Sequence, residues 1–280
     1  MKLLKIIAIL AAPLVMAQQG TRFVYQVVTT PDSTNVESKK TEIAYLDTDG
    51  AKSYFYGENR IKRDSVMERM RSTRSFDRTQ MENLRSNIDY IVEKNIADQS
   101  LLFKSRIGRD QYSYKESPSF NWQILPETVK IGEYETQKAI AKFGGRTWFA
   151  WFTQQVPLQD GPYKFSGLPG LIVKVQDEKG DYSFDLMQTK KIGEIQEPQT
   201  RGQYIDVSKT KYLAFEKSFQ KDPSAMFNSQ RAGGGRGFGG PGGQGRGPGG
   251  GGPGVDPKQM QEMQKRMEQE IKSKNNPIEK

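Results

Sequence analysis

The sequence predicts a mainly β fold: a strongly curved antiparallel sheet, a meander that can close into a half-barrel, followed by one or two C-terminal helices. Three observations lead there. Segments rich in β-branched and aromatic residues recur between residues 21 and 188, and most alternate apolar with polar side chains. The stretches separating them are mostly short and carry Gly, Pro, Asn or Asp. No helix-length segment lies between the later strands, so antiparallel pairing fits and βαβ crossovers do not.

Taken in order, residues 21–30 (TRFVYQVVTT) place Phe23, Tyr25 and Val27 on one face. Residues 41–47 and 52–56 are two further strands. Asp47-Thr48-Asp49-Gly50 joins them as a hairpin turn in which Gly50 takes φ > 0. Residues 60–85 are charged and rich in Arg and Met, and fit a helix or a long loop. Strands are then expected at 89–93, 101–107, 111–115, 121–125, 136–143, 146–153, 170–177 and 182–188. Leu171, Val173 and Val175 alternate with Ile172 and Lys174. Tyr182, Phe184 and Leu186 alternate with Ser183, Asp185 and Met187, the pattern of a sheet with one wet face. Residues 207–220 predict a helix capped by Ser208, with Tyr212, Phe215 and Phe219 on one stripe and Asp222-Pro223 as its stop. Residues 256–274 predict a second helix, capped by Asp256 with Pro257 at its first position.

The 280 residues contain no cysteine and no histidine. That excludes disulfides, Cys nucleophiles, zinc sites built on His or Cys, and any triad that needs an imidazole. Carboxylates, Lys, Tyr or an oxygen-held metal remain. Mean hydropathy is −0.74. Part of that polarity is local, because residues 232–254 hold 15 of the 28 glycines.

The N-terminus reads as an address. Lys2 and Lys5 form a basic start, residues 6–15 are apolar, and Val15-Met16-Ala17 fits a small-x-small cleavage site. Cleavage after Ala17 would leave Gln18 first and lower the formal charge from +9 to +7. The apolar run is too short to span a bilayer, and no later segment has eighteen apolar residues. The expected organisation is a signal peptide at 1–17, a β-rich domain at 18–228 ending in a helix, a flexible Gly-rich insertion at 229–255, and an amphipathic helix and tail at 256–280.

Residues 122–177 carry a family resemblance. Gly161-Pro162-x-x-Phe165-x-Gly167-Leu168-Pro169-Gly170-Leu171-Ile172 resembles the motif that names the GLPGLI family of exported bacterial proteins. Glu127, Lys130-Ile131-Gly132, Tyr134 and Lys138-Ala139 resemble its lead-in. Gly145-Arg146 with Ala150-Trp151-Phe152-Thr153 resembles the strand before the motif, and Asn276-Pro277-Ile278-Glu279 its usual ending. Members often carry a Cys where this chain has Thr136. The resemblance implies an exported, mostly β protein associated with TonB-dependent outer-membrane receptors. It implies no activity.

Physically, Leu168-Pro169-Gly170-Leu171 predicts a type II turn, with Gly170 at φ > 0 and Gly167 allowing close backbone approach. This turn either sets strand register or forms a binding loop. It precedes a strand rather than a helix, which argues against phosphate binding. In 146–153, Trp148, Ala150 and Phe152 share one face, while Phe149 and Trp151 share the other. The strand is then either covered on both sides or lines an apolar groove. The stripe Met260, Met263, Met267 and Ile271 could suggest Cu(I), but without His or Cys it reads as a packing surface. Two arginines, Arg236 and Arg246, within the glycine tract are too few to grip RNA. The tract reads as a linker with a reach of roughly 25 Å. The acidic pairs Glu133/Glu135 and Asp47/Asp49 are the one catalytic route left.

The resulting expectation is a non-enzymatic binding or accessory protein of the periplasm, at the inner leaflet of the outer membrane. Its partner is an envelope protein such as a TonB-dependent receptor, and no catalytic residue, metal, cofactor or nucleic acid is assigned. Its candidate binding residues are Gly161, Pro162, Phe165, Gly167, Leu168, Pro169, Gly170, Leu171, Ile172, Trp148 and Trp151. The alternatives are a carrier or sensor holding a small apolar ligand in a curved sheet, and a carboxylate hydrolase.

Overall fold

The computed structural model describes residues 19–75, 77–108, 110–199 and 202–222, together with 262, 265, 266, 268, 269 and 271–279. The expected signal peptide, the glycine tract, the expected cap Asp256 of a second C-terminal helix, and Met260, Met263 and Met267 lie outside the described residues. Those described between 262 and 272 are helical.

Among the described residues, twelve strands form one sheet. In chain order they are β1 (Gly20–Thr29), β2 (Lys40–Thr48), β3 (Lys52–Gly57), β4 (Tyr90–Asn95), β5 (Ser100–Ile107), β6 (Asp110–Glu116), β7 (Gln123–Ile131), β8 (Tyr134–Phe143), β9 (Arg146–Thr153), β10 (Leu171–Asp177), β11 (Tyr182–Ile192) and β12 (Tyr204–Asp206). The spatial order is β12-β6-β5-β4-β3-β2-β1-β11-β10-β9-β8-β7. Two meanders therefore meet at β1, which pairs with β2 on one side and β11 on the other.

The chain's own path shows how sharply this sheet curls. Going from β6 to β7 across a flat sheet would mean passing ten strand intervals, about 48 Å at the usual spacing. The link from Glu116 to Gln123 is seven residue steps, which reach about 25 Å at most. The sheet must bend until its two ends face each other. It is not closed into a barrel: β7 and β12 are its separate edges.

The expected alternation is realised. Phe23, Tyr25 and Val27 are buried on the concave face, as are Leu46, Phe55, Val92, Phe103 and Phe184. Gly50 has φ 91° in the β2–β3 turn, where the Asp49 carboxylate accepts from the backbone N–H groups of Ala51 and Lys52. β7 runs well beyond the expected 121–125. It is an exposed edge strand with a register break around Pro126, a position where a residue without N–H is tolerated. β12 was not legible as a strand, having only three residues. It is also the sole parallel partner in the described sheet, lying along β6.

The charged segment after β3 is helical: α1 (Glu58–Thr73) and α2 (Arg78–Asn83). Its sequence was ambiguous because α1 has little apolar stripe. It sits on the convex face through Ile61, beside Tyr54, Tyr56 and Ile91, and through Arg60, which donates to the Asp89 carbonyl and carboxylate, each at 3.2 Å. The helix α3 (Lys209–Lys221) follows the expected pattern. Ser208 caps it by accepting from Lys211 N–H, and Tyr212, Phe215 and Phe219 pack on the core. No helix among the described residues is long and apolar enough to cross a membrane.

Candidate functional site

The loop between β9 and β10 carries the glycine-rich motif and fills the hollow of the sheet. Both halves of the sheet reach it. From one side Lys94 of β4 pairs with Asp160 and donates to the Gly161 carbonyl at 2.6 Å. From the other, Trp148 of β9 packs on Phe165 with ring centroids 4.7 Å apart. Trp122 donates to the Ser166 carbonyl at 2.9 Å, and Tyr25 at the centre of the sheet donates to the Ile172 carbonyl at 2.7 Å.

Within this loop the turn differs from the sequence expectation. Gly170 N–H bonds to the Leu168 carbonyl at 2.7 Å, a three-residue γ-turn around Pro169. Leu171 N–H goes instead to Val156 O at 3.2 Å, so the bond that would close a type II turn is absent. Gly170 does have positive φ, 149°, and a Cβ there would overlap the Thr153 carbonyl. The expected close approach falls at Gly161 rather than Gly167. A Cβ on Gly161 would lie 2.8 Å from Ile172 Cβ, whereas one on Gly167 would meet nothing and only its φ of 86° calls for glycine.

Of the candidate binding residues, Gly161, Pro162, Phe165, Leu168, Gly170, Leu171, Ile172 and Trp148 are buried together, while Gly167 and Pro169 reach solvent. Trp148 is fully buried against the chain's own Phe165, so its face is packed and lines no groove. Trp151 lies on the opposite face of β9, half-buried, with the Lys174 ammonium 6.0 Å from its ring centre. Lys138 covers Phe149 in the same way at 5.3 Å. Lysine stems thus shield the second apolar face.

Sequence reasoning missed the charged centre of the hollow. Tyr163 has φ 53°, unusual for a bulky residue, and next to it Lys164 is fully buried. The Lys164 ammonium donates to Tyr114 Oη at 2.9 Å, Glu116 at 2.8 Å and Glu279 at 2.5 Å. It also lies 4.9 Å from the Phe103 ring centre and 5.4 Å from that of Tyr163. Lys209 of α3 bridges the same two carboxylates, reaching Glu279 at 2.9 Å. Burial pushes the Tyr163 and Tyr114 hydroxyls far up, with Glu279 adding to both. Burial alone would raise the Glu279 carboxyl, but Lys164, Tyr163 and Lys209 hold it below the usual range. Glu216 on α3 goes the other way, raised by burial and by the charge of Glu279. No local motif announces this cluster, because its members come from β6, the loop, α3 and residue 279.

Two of the open spaces bear on function. A cavity of about 340 Å³ lies between α3, the concave face and residues 276–279, lined by Tyr90, Tyr114, Tyr163, Tyr212, Glu216 and Phe219. A cleft of about 730 Å³ lies on the convex face between α1 and residues 192–199. At its base Arg22 holds Asp47 in a two-pronged bond, both contacts 2.7 Å, and Tyr56 donates to the same carboxylate at 2.7 Å. The acidic pairs form no dyad: Asp47 faces Arg22 while Asp49 caps a turn, and Glu133 and Glu135 are exposed. No group of three or more acidic side chains among the described residues is placed to hold a metal ion. Thr136, where the resembling family often has Cys, is buried and donates to the Val129 carbonyl at 2.5 Å.

Residues 144–174 match the model of a family described as protein of unknown function (Porph_ging). That span holds β9, the loop and the start of β10. No curated protein matches the sequence. The fold is similar to solved structures of PNGF-II. In one crystal form the TM-score is 0.52 at 15% identity, covering 70% of this chain and 33% of that one. In a second the values are 0.51, 15%, 70% and 32%. This chain therefore corresponds to about a third of the PNGF-II chain, and at this identity the likeness is one of fold alone.

Proposed function

We propose that the protein is a non-enzymatic, exported member of a GLPGLI-like group that binds another protein of the cell envelope from the periplasmic side. One observation carries the reading: the motif loop is packed into the sheet's hollow, where its groups bond to the chain itself. The motif then acts as scaffold, and the convex cleft beside α1 is the open surface suited to a partner. Beside the Arg22–Asp47 pair, the cleft combines carboxylates from Asp64, Glu68 and Glu194 with the apolar Ile61, on a chain that is basic as a whole. A basic loop on the partner would complement it. The partner class that the sequence resemblance supports is a TonB-dependent receptor.

The test is affinity capture from detergent-solubilised envelope with native protein and with a Ser65→Trp variant. Ser65 is exposed in the cleft wall, so the tryptophan fills the cleft without entering the core. An outer-membrane protein retained by the first and lost by the second supports the proposal. Equal capture by both, or capture of none, rejects it.

A second reading, a carrier for a small apolar ligand, is favoured by the aromatic cavity under α3. Native mass spectrometry of protein purified without denaturant would reveal a bound molecule of fitting size.

A further inference from the structure

Residues 275–279 are held by the domain in the way a receptor holds a peptide. The segment belongs to no strand, yet each of its polar side chains, and the backbone N–H and carbonyl of Asn276 and the carbonyl of Pro277, is hydrogen-bonded to the domain. Asn275 accepts from Ser33 N–H at 2.9 Å and donates to Asp32 at 2.8 Å. Asn276 is 2% exposed. Its backbone N–H donates to Pro31 O at 3.0 Å and its amide to Thr30 O at 2.8 Å. Its side-chain oxygen accepts from Arg146 at 2.5 Å, and its carbonyl from Tyr182 at 2.5 Å. The Pro277 carbonyl accepts from Arg146 at 2.9 Å, and Ile278 packs on the main core. Glu279 meets Lys164, Lys209 and Tyr163. Gly144 supplies the space: a Cβ there would lie 2.9 Å from both Cα and Cγ of Glu279.

Two basic residues at the floor of the hollow, a Tyr–Arg clamp on an Asn-Pro unit, and a glycine cut out for the acidic residue make a site that selects a sequence. Its occupant is joined to α3 through 53 intervening residues, which contain the glycine tract. From these contacts we infer that the hollow is a peptide-binding site for Asn-Pro-Ile-Glu, filled in cis by the chain's own segment and able to take the same sequence in trans. A ligand tethered in this way sits at an effective concentration on the order of millimolar, so the cis segment masks the site from weaker competitors.

The experiment uses the full chain, with a protease recognition sequence placed between residues 232 and 254 and cut after folding. A fluorescent synthetic peptide of residues 273–280 is then added and its anisotropy followed. The cut protein should take up the peptide saturably, releasing its own fragment, while uncut protein binds it at least about 100-fold more weakly. Peptides bearing Asn276→Ala or Glu279→Gln should each bind at least about tenfold more weakly, the first losing its bonds with Arg146 and the Thr30 carbonyl and the second the charge that Lys164 and Lys209 pair with. The proposal is overturned if the cut protein never exchanges its fragment for the peptide. It is also overturned if circular dichroism shows the domain unfolding as the fragment leaves, or if the altered peptides bind as well as the original.

Discussion

The guanidinium of Arg146 donates to the carbonyl of Pro277 at 2.9 Å, joining residues 131 positions apart. The same side chain binds Asp177 at 2.7 Å and Asp181 at 3.0 Å, so one arginine at the start of β9 ties the end of β10, the turn before β11 and the distal segment together. Such a hub makes the distal segment part of the stability of the whole. Asn276→Ala should lower unfolding free energy by about 1–3 kcal/mol, because Arg146 and the Thr30 carbonyl each lose a buried partner. Urea titration checks it, and an unchanged midpoint would mean the segment is loosely held in solution.

The motif turn predicts a contrast between two glycines. Gly170→Val places a β-branched residue at φ 149° with its Cβ on the Thr153 carbonyl, and should cost at least about 3 kcal/mol. Gly167→Ala meets no neighbour and bears only the backbone strain, about 1 kcal/mol. Thermal melts of both variants separate steric overlap from conformational strain.

Lys94 and Asp160 form a buried pair, and burial draws the Lys94 ammonium below its usual range. The second carboxylate oxygen of Asp160 has no hydrogen-bond partner. Lys94→Met alone should destabilise by about 3–5 kcal/mol, leaving a buried carboxylate uncompensated, whereas Lys94→Met with Asp160→Asn should recover much of the loss. A double-mutant cycle reads the coupling directly; additive effects would contradict the pairing.

Glu216 and Glu279 predict opposite dependences on pH. The folded-state value of Glu216 is raised, so its contribution is fully present below the unfolded value of about 4.3 and is lost as pH rises through the folded value. The folded value of Glu279 is depressed, so its contribution is present above about pH 4.3 and is lost as pH falls through that lower value. Glu216→Gln should therefore raise the melting temperature at pH 7–8 and change it little near pH 4. Glu279→Gln should lower it at pH 7 and do less near pH 3. Shifts independent of pH in both variants would contradict the assignment.

Much of the sheet was legible because its signal is local. Phe23, Tyr25 and Val27 report their shared face within five residues, and Asp49-Gly50 announces its own turn. The packed face of Trp148 and the shielded face of Trp151 were indistinguishable in sequence, since the shield is made by Lys174, a residue that reads as solvated. α1 gave no stripe because it rests on the sheet through Arg60 and few apolar residues. Lys164 was invisible as a site for a deeper reason. Its partners Glu116 and Glu279 lie 48 and 115 positions away, and only the curl of the sheet brings them together.

The placement of residues 276–279 in the hollow has a kinetic consequence. A chain made from its N-terminus can pair Lys164 with Glu116 early, but it cannot give Lys164 its second carboxylate or complete the Arg146 network until residues 276–279 have emerged. β1, the strand both meanders lean on, must likewise wait for β11, more than 150 residues later, to gain its second neighbour. Contacts of such long range make the completion of folding slow and late. The sequential pairs of the β1–β6 meander can form early, while the contacts that join the two halves of the sheet and seat residues 276–279 close last.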